Sequence, residues 1–316
     1  MSILFQYPAQ KQSGRPRVLR NLLWFWMRRS LLRHRLPLFA SFKLTYRCNL
    51  ACLACPFHRR AAEPGSHMSW KSAIHCLNLL KRQGVQIVIF EGGEPFLWND
   101  DGYDLQDLVA YAQKQFLRIA VTTNGTFPLC GAYDTIWVSI DGLKQNHDRL
   151  RSGSFDRILD NLKQTKHPRV MVHFTMNREN WRDLGPLCDL LGKIPSVKGM
   201  TVQLFYPYAQ GEACLALAPQ ERRLALENAM QVKKFFPVIN SVGGLRSMID
   251  NTWTCRDDLL INVDPDGTVT QGCYVRSRGE VCCRQCGFTP VAEASRAMSL
   301  CPASLLAGWR AYLAEP

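Results

Sequence analysis

Three cysteines, Cys48, Cys52 and Cys55, stand in the spacing C-x3-C-x2-C. Three thiolates on one short loop can grip three corners of a four-iron cluster. No fourth cysteine lies in that loop. One iron would then keep a position open for a substrate, as catalytic metal sites do. A structural zinc knuckle or a set of buried thiols is the bland alternative. A second group lies near the C-terminus, where residues 253–316 hold six of the thirteen cysteines. Cys283 and Cys286 form a C-x2-C pair, and Cys255 and Cys273 flank a predicted hairpin. These four are expected to form a second thiolate site, with Cys282 or Cys301 as substitutes for one of them. Tetrahedral zinc would suit four thiolates as well. Cys76, Cys130, Cys188 and Cys214 are scattered and read as small buried hydrophobes.

Short apolar runs rich in Val, Ile, Leu and Phe predict six strands, at Phe42–Tyr46, Val85–Phe90, Leu117–Thr122, Thr135–Ile140, Val170–Thr175 and Met200–Phe205. Helical stretches fall between them, at Ser69–Arg82, Asp104–Gln115, Phe155–Gln164 and Trp181–Leu191. A longer helix, Pro219–Phe235, follows the sixth strand. This alternation predicts an α/β fold of parallel βαβ units. A partial (β/α)6, TIM-like barrel fits better than a closed barrel of eight, because the pattern stops near residue 245. Leu259–Val263 and Thr268–Gln271, joined through Asp264-Pro265-Asp266-Gly267, read as a hairpin, since Asp-Gly is a strong turn signal. The expected organisation is a basic amphipathic segment over 1–41, the partial barrel over 42–245 and a small cysteine-rich iron–sulfur domain over 246–316.

Polar motifs sit at successive strand ends, where open α/β folds bind ligands. Gly92-Gly93-Glu94-Pro95 follows the second strand and Thr122-Thr123-Asn124-Gly125 the third. Ser139-Ile140-Asp141-Gly142 ends the fourth, and His147, Asp148 and Arg151 come after it. Together with the C-x3-C-x2-C loop these motifs resemble the radical S-adenosylmethionine (SAM) superfamily over residues 42–205. The resemblance implies an enzyme. Its open iron is chelated by the amino and carboxylate groups of S-adenosylmethionine, and an electron from the cluster breaks the sulfonium bond to give a 5′-deoxyadenosyl radical. It also implies that Gly92, Gly93, Glu94 and Pro95 pass close to the methionine amino group, that Thr123 and Asn124 lie near the ribose, and that Ser139 and Arg151 contact polar groups of the cofactor. An electron donor such as flavodoxin or ferredoxin is implied as well. One departure is Ala54, where the family has an aromatic residue stacking on adenine; either Phe57 or His58 takes over, or the adenine pocket is roomier. No catalytic acid, base or hydrogen donor is identified.

The stretch from Cys255 through Asp266-Gly267 to Cys273 resembles the C-terminal extension of SPASM and twitch-type radical enzymes. The cysteines after Cys286 are too few for two auxiliary clusters, so one auxiliary [4Fe–4S] cluster is expected. Cys273-Tyr274 followed by Cys286-Gly287-Phe288 resembles the C-terminal pattern of adenosylhopane synthases, which add the radical to a polycyclic lipid. A lipid or isoprenoid is therefore the first substrate expectation and a peptide the second. The rival from another class is a non-catalytic iron–sulfur redox sensor that binds nucleic acid.

The net charge of +13 is concentrated at one end. Residues 1–62 carry twelve basic residues and no acidic one, whereas the remaining 27 basic and 26 acidic residues nearly cancel. An anionic partner should meet the N-terminal end. Over residues 17–36, Arg17, Arg20, Arg28 and Arg35 fall near one helical face and Leu19, Leu22, Leu23 and Trp26 near another. That pattern suits a helix lying on an anionic membrane surface, and equally a helix packed on the barrel with a basic outer face. No recognised RNA-binding module is present. No apolar stretch reaches the roughly 20 residues of a membrane span and no signal peptide is recognisable, so the expected location is cytoplasmic, with room for a peripheral position on the inner face of the membrane.

Overall fold

The computed structural model describes residues 15–55, 57–207, 212–275 and 281–313. All six expected strands form: β1 (Phe39–Thr45), β2 (Ile87–Gly92), β3 (Arg118–Thr123), β4 (Thr135–Ser139), β5 (Val170–Met176) and β6 (Val197–Leu204). They pair in chain order and in parallel. The expected hairpin forms too, as β7 (Leu260–Val263) and β8 (Val269–Gln271). It extends the same sheet, with β7 parallel to β1 and Phe39 opposite Leu260. The result is an eight-stranded, mostly parallel partial TIM barrel. Gly267 takes a positive φ of 86° in the hairpin turn, the backbone region where a side chain is disfavoured.

Strand alternation sorts side chains into two layers. Ala40, Phe42 and Leu44 of β1 face outward, with Val88 and Phe90 of β2, into a core shared with α2 (Trp70–Arg82), α3 (Leu105–Gln113), α5 (Phe155–Gln164), α6 (Leu184–Leu191) and α7 (Pro219–Val232), while Leu150 of α4 (Lys144–Leu150) packs separately with Phe205 and Leu215. Phe39, Ile87, Ala120, Trp137 and Met171 face inward. They pack on Val291 and Met298 of α9 (Thr289–Met298), which follows α8 (Val242–Ile249), and on Ala307 of α10 (Pro302–Gly308). The C-terminal helices thus close the floor of the open barrel. Arg118 Nε donates to Tyr312 O at 3.1 Å, and Arg169 donates to Arg310 O, so two strand-borne guanidiniums hold the last turn in place.

Higher in the interior the inward positions turn polar: Lys43, Glu91, Thr122, Ser139, His173 and Gln203. Lys43 is fully buried. Burying an unpaired ammonium would cost several kcal/mol, roughly, after relaxation. Here its Nζ lies 2.7 Å from Ser41 Oγ, 3.7 Å from Asp264 Oδ1 and 3.9 Å from Glu91 Oε1, and 4.7 Å from the ring centre of Tyr274. The sheet therefore has an apolar lower half, sealed by helices, and a polar upper half at the C-terminal strand ends.

Candidate active site

A cavity of about 430 Å³ opens above those polar positions. Its wall includes Cys48, Cys52 and Cys55 from the loop after β1, and Gly92 and Gly93 after β2. Thr123 and Asn124 come from the end of β3, Ser139 from β4, Arg151 from the end of α4, and Cys255, Cys273, Cys283 and Cys286 from the C-terminal part. Thirteen of the fifteen expected site residues thus share a wall with His173, which the sequence reading missed, and with Cys282.

The first cysteine loop is tied to strand ends by backbone pairing. Gly93 N–H donates to Thr45 O at 2.7 Å and Glu94 N–H to Arg47 O at 2.9 Å. A Cβ on Gly93 would stand 2.2 Å from Arg47 O, and one on Gly92 2.4 Å from Thr45 O. The two glycines are needed because this strip lies against the chain entering the cysteine loop. Amide donors point at the sulfurs: Leu50 N–H to Cys48 Sγ at 3.4 Å, Phe57 N–H to Cys55 Sγ at 3.4 Å, and Asn124 Nδ2 to Cys48 Sγ at 3.6 Å. Asn124 Nδ2 also donates to Asn49 Oδ1 at 2.8 Å. Burial pushes the Cys52 thiol up to about 11, against the pull of the Arg151 guanidinium.

Glu94 and Pro95 lie behind the wall. The Glu94 carboxylate is fully buried and accepts from Thr123 Oγ1 at 2.8 Å, Asn124 N–H at 2.8 Å and Phe96 N–H at 3.2 Å. Burial lifts it to about 7 despite those donors. It locks the loop after β2 to the loop after β3, and Pro95 opens the short turn behind it. Arg151 is oriented by Asp141, Nε to Oδ2 at 2.5 Å, and Asp141 Oδ1 in turn accepts from Thr175 N–H at 2.8 Å. His147 Nδ1 accepts from Asp141 N–H at 3.1 Å, which places its proton on Nε2, facing Ser154 Oγ at 3.0 Å. Burial holds the His173 imidazole below its ordinary range. Phe57 lines the cavity beside Ala54, stacked on Tyr46 with ring centres 5.6 Å apart and edge-on to Tyr274 at 6.1 Å. Of the two aromatic candidates near Ala54, Phe57 is the one in the wall.

The second group is gathered by side chains. Arg222 of α7 donates to Met248 O at 2.8 Å, Gln285 O at 3.0 Å, Cys286 O at 2.6 Å and Asn251 Oδ1 at 2.9 Å. Asn251 Nδ2 donates to Cys283 O at 2.9 Å and Arg284 O at 2.7 Å. Cys273 N–H donates to Asp257 Oδ2 at 3.0 Å, and Cys282 N–H to Tyr206 Oη at 2.8 Å. Burial pushes the Cys255 thiol up to about 12, with Asp257, Cys286, Cys273 and Cys283 adding to it through space. No sequence pattern marked Arg222; a basic residue amid a helix reads as a solvated one.

The thiols suit iron–sulfur clusters. All are free of disulfides. They line one cavity, and thiolates are the ligands that multi-iron groups take.

Residues 42–191 match the family model of the radical SAM superfamily. An Fe-coproporphyrin III synthase from Methanosarcina barkeri is 31% identical over 172 residues, covering 49% of this chain and 42% of that protein. The chain therefore spans less than half the length of that relative. An AdoMet-dependent heme synthase from the same organism is 24% identical over 280 residues, 81% of this chain and 78% of that protein. Among solved structures, Streptococcus suis SuiB bound to its precursor peptide SuiA has the same fold, with TM-score 0.58, 14% identity and coverage of 92% of this chain and 73% of SuiB. Members of the superfamily use a [4Fe–4S] cluster with S-adenosylmethionine, and the SPASM-type relatives carry auxiliary clusters. Residues 42–191 thus form a radical SAM domain.

Proposed function

We propose that the chain holds a [4Fe–4S] cluster on Cys48, Cys52 and Cys55, S-adenosylmethionine beside it, and one auxiliary cluster on Cys255, Cys273, Cys283 and Cys286, and that it modifies an organic substrate between the two sites. The observation that carries this reading is the single cavity lined by both cysteine groups and by the strand-end motifs. When bound, the cluster and S-adenosylmethionine supply a 5′-deoxyadenosyl radical.

Gly92 and Gly93 give the wall no side chain, which leaves backbone open to an ammonium group. Asn124 fixes the Cys48 thiol relative to β3. Arg151, held by Asp141, opposes the burial that raises the Cys52 thiol and offers a cation to a carboxylate. His173, neutral inside the barrel, can accept or deliver one proton at a ring nitrogen. An electron donor such as flavodoxin or ferredoxin belongs to the same reading.

The wall between the cysteine groups is largely apolar, with Leu150, Phe205, Trp253, Phe288 and Val291. That supports a substrate with an apolar skeleton, of lipid or isoprenoid kind. A peptide is the second reading, supported by the fold shared with peptide-bound SuiB. The enzyme names of the relatives speak for turnover rather than nucleic-acid sensing. The test is anaerobic incubation of reconstituted protein with S-adenosylmethionine and a strong reductant. It should give 5′-deoxyadenosine, and the Cys48→Ala/Cys52→Ala/Cys55→Ala variant should give none. Adding a lipid extract should yield an adenosylated or dehydrogenated lipid by mass; a mass change confined to added peptides would replace the first substrate reading with the second.

A further inference from the structure

Helix α1 (Arg15–Ser30) has two apolar faces rather than one. Val18 and Phe25 are buried, Phe25 in the cluster that fills the barrel floor, and Trp26 Nε1 reaches Met298 O at 3.4 Å. Arg29 turns inward as well, to Asp258 at 2.6 Å. This half of the helix is structural. Of the apolar residues grouped on one face by sequence, Trp26 belongs to this inner side and Leu19 and Leu23 to the outer; the Arg17 side chain lies outside the described residues.

Among the described residues the outer half has no partner. Leu19, Leu23, Trp24, Leu31 and Leu32 are each more than half exposed. Leu19, Leu23, Met27 and Leu31 recur every fourth residue and so form one stripe along the helix. Arg20, Trp24 and Arg28 form the neighbouring row, and Arg33 and Arg35 follow beyond the helix end. Below this row lies a pocket of about 200 Å³ lined by Trp24, Arg28 and Lys81, with Asn21, Gly84 and Gln86. Lys81 Nζ donates to Gln115 O at 2.6 Å, so its charge has no carboxylate partner there. Basic residues at helix C-termini are favoured by the helix dipole. The dipole does not explain exposed leucines and a tryptophan beside them, in a stretch without one acidic residue.

We propose that this outer face of α1 docks on an anionic lipid bilayer. The leucine stripe and Trp24 would enter the headgroup–acyl boundary, the arginines would meet anionic headgroups, and one headgroup would fit the pocket between Arg28 and Lys81. Charge complementarity selects this occupant: a second copy of the chain would bring the same uniformly basic surface against itself. Docking has a geometric consequence. The pocket is built on Leu36 and Gly84, which precede β1 and β2, whereas the cysteine cavity lies beyond the C-terminal ends of the same strands. In a parallel barrel these ends are opposite, so the docked enzyme presents its cavity to the aqueous side, where a soluble electron donor can reach it.

The experiment is cosedimentation of the full-length, reconstituted protein with vesicles at low salt. Vesicles of phosphatidylglycerol and phosphatidylcholine should bind it, and vesicles of phosphatidylcholine alone should bind it far less. Arg20→Glu/Arg28→Glu/Arg33→Glu should weaken binding by about a hundredfold, as three headgroup contacts turn repulsive. Leu19→Gln/Leu23→Gln/Leu31→Gln should weaken it on its own, without lowering the unfolding temperature, because these side chains are exposed. Equal binding to both vesicle types, or binding unchanged in both variants, would overturn the proposal. So would a wild-type dimer that ignores vesicles and falls to monomer in the leucine variant, since the face would then be a self-interface.

Discussion

Cys48, Cys52 and Cys55 hang from backbone hydrogen bonds between strand ends, whereas Cys273, Cys283 and Cys286 hang from the side chains of Arg222, Asn251 and Asp257. The first arrangement inherits the rigidity of the sheet. Its fragile points are places where backbone passes backbone, and glycine is the only residue that fits them. The second arrangement borrows rigidity from a few polar side chains on helices and turns, and its cysteines are correspondingly more exposed. The same type of ligand is therefore guarded by different kinds of residue in the two places, and each should fail in its own way.

Gly93→Ala should have the largest effect. Its Cβ would meet Arg47 O at 2.2 Å, and the strip from Gly92 to Glu94 would have to move. We expect a loss of roughly 3–5 kcal/mol in stability, with the first site's iron lost and the second site's retained in whatever folds. Arg222→Met should show the converse. It keeps the length of the side chain but leaves several carbonyls without their donor, at a cost of about 2–4 kcal/mol. Iron should then fall at the second site while 5′-deoxyadenosine formation persists at the first. If either variant empties both sites equally, the two regions are not independently held.

A smaller effect concerns pH and the first region alone. Burial, helped by the Arg151 guanidinium, holds the His147 imidazole down to about 4, against 6.5 for a free one. The folded state thus binds fewer protons than the unfolded chain between those values. Stability should be fully present above about 6.5 and fall as pH drops towards about 4, by on the order of 1–3 kcal/mol. His147→Gln should flatten that part of the profile in denaturant unfolding of the cluster-free protein. A profile unchanged by the substitution would mean that another group titrates there.

The strands were legible because both sides of a parallel sheet are buried and the runs are plainly apolar; all six lie within a few residues of their expected ends. The strand-end motifs were legible for the same reason, since each follows a recognisable run. Long-range docking was not. Nothing in Leu260–Val263 says that it pairs with β1, nor in Thr289–Met298 that it fills the barrel, because an apolar face does not name its partner. Glu94 could be read from its motif as a wall residue, but the donors that draw it behind the wall come from Thr123 and Asn124, on another strand. Arg222 was invisible because its acceptors are carbonyls, which carry no sequence signature.

If two separately held clusters face one cavity, each can be emptied without the other. Iron content and cofactor cleavage, measured side by side in Cys48→Ala/Cys52→Ala/Cys55→Ala and in Cys255→Ala/Cys273→Ala/Cys283→Ala/Cys286→Ala, test it most directly. With two four-iron clusters the unaltered protein should hold about eight irons and each variant about four, and only the first variant should lose 5′-deoxyadenosine formation. Full iron in either variant, a single tightly held zinc in the first, or undiminished cleavage without Cys48, Cys52 and Cys55 would contradict the claim.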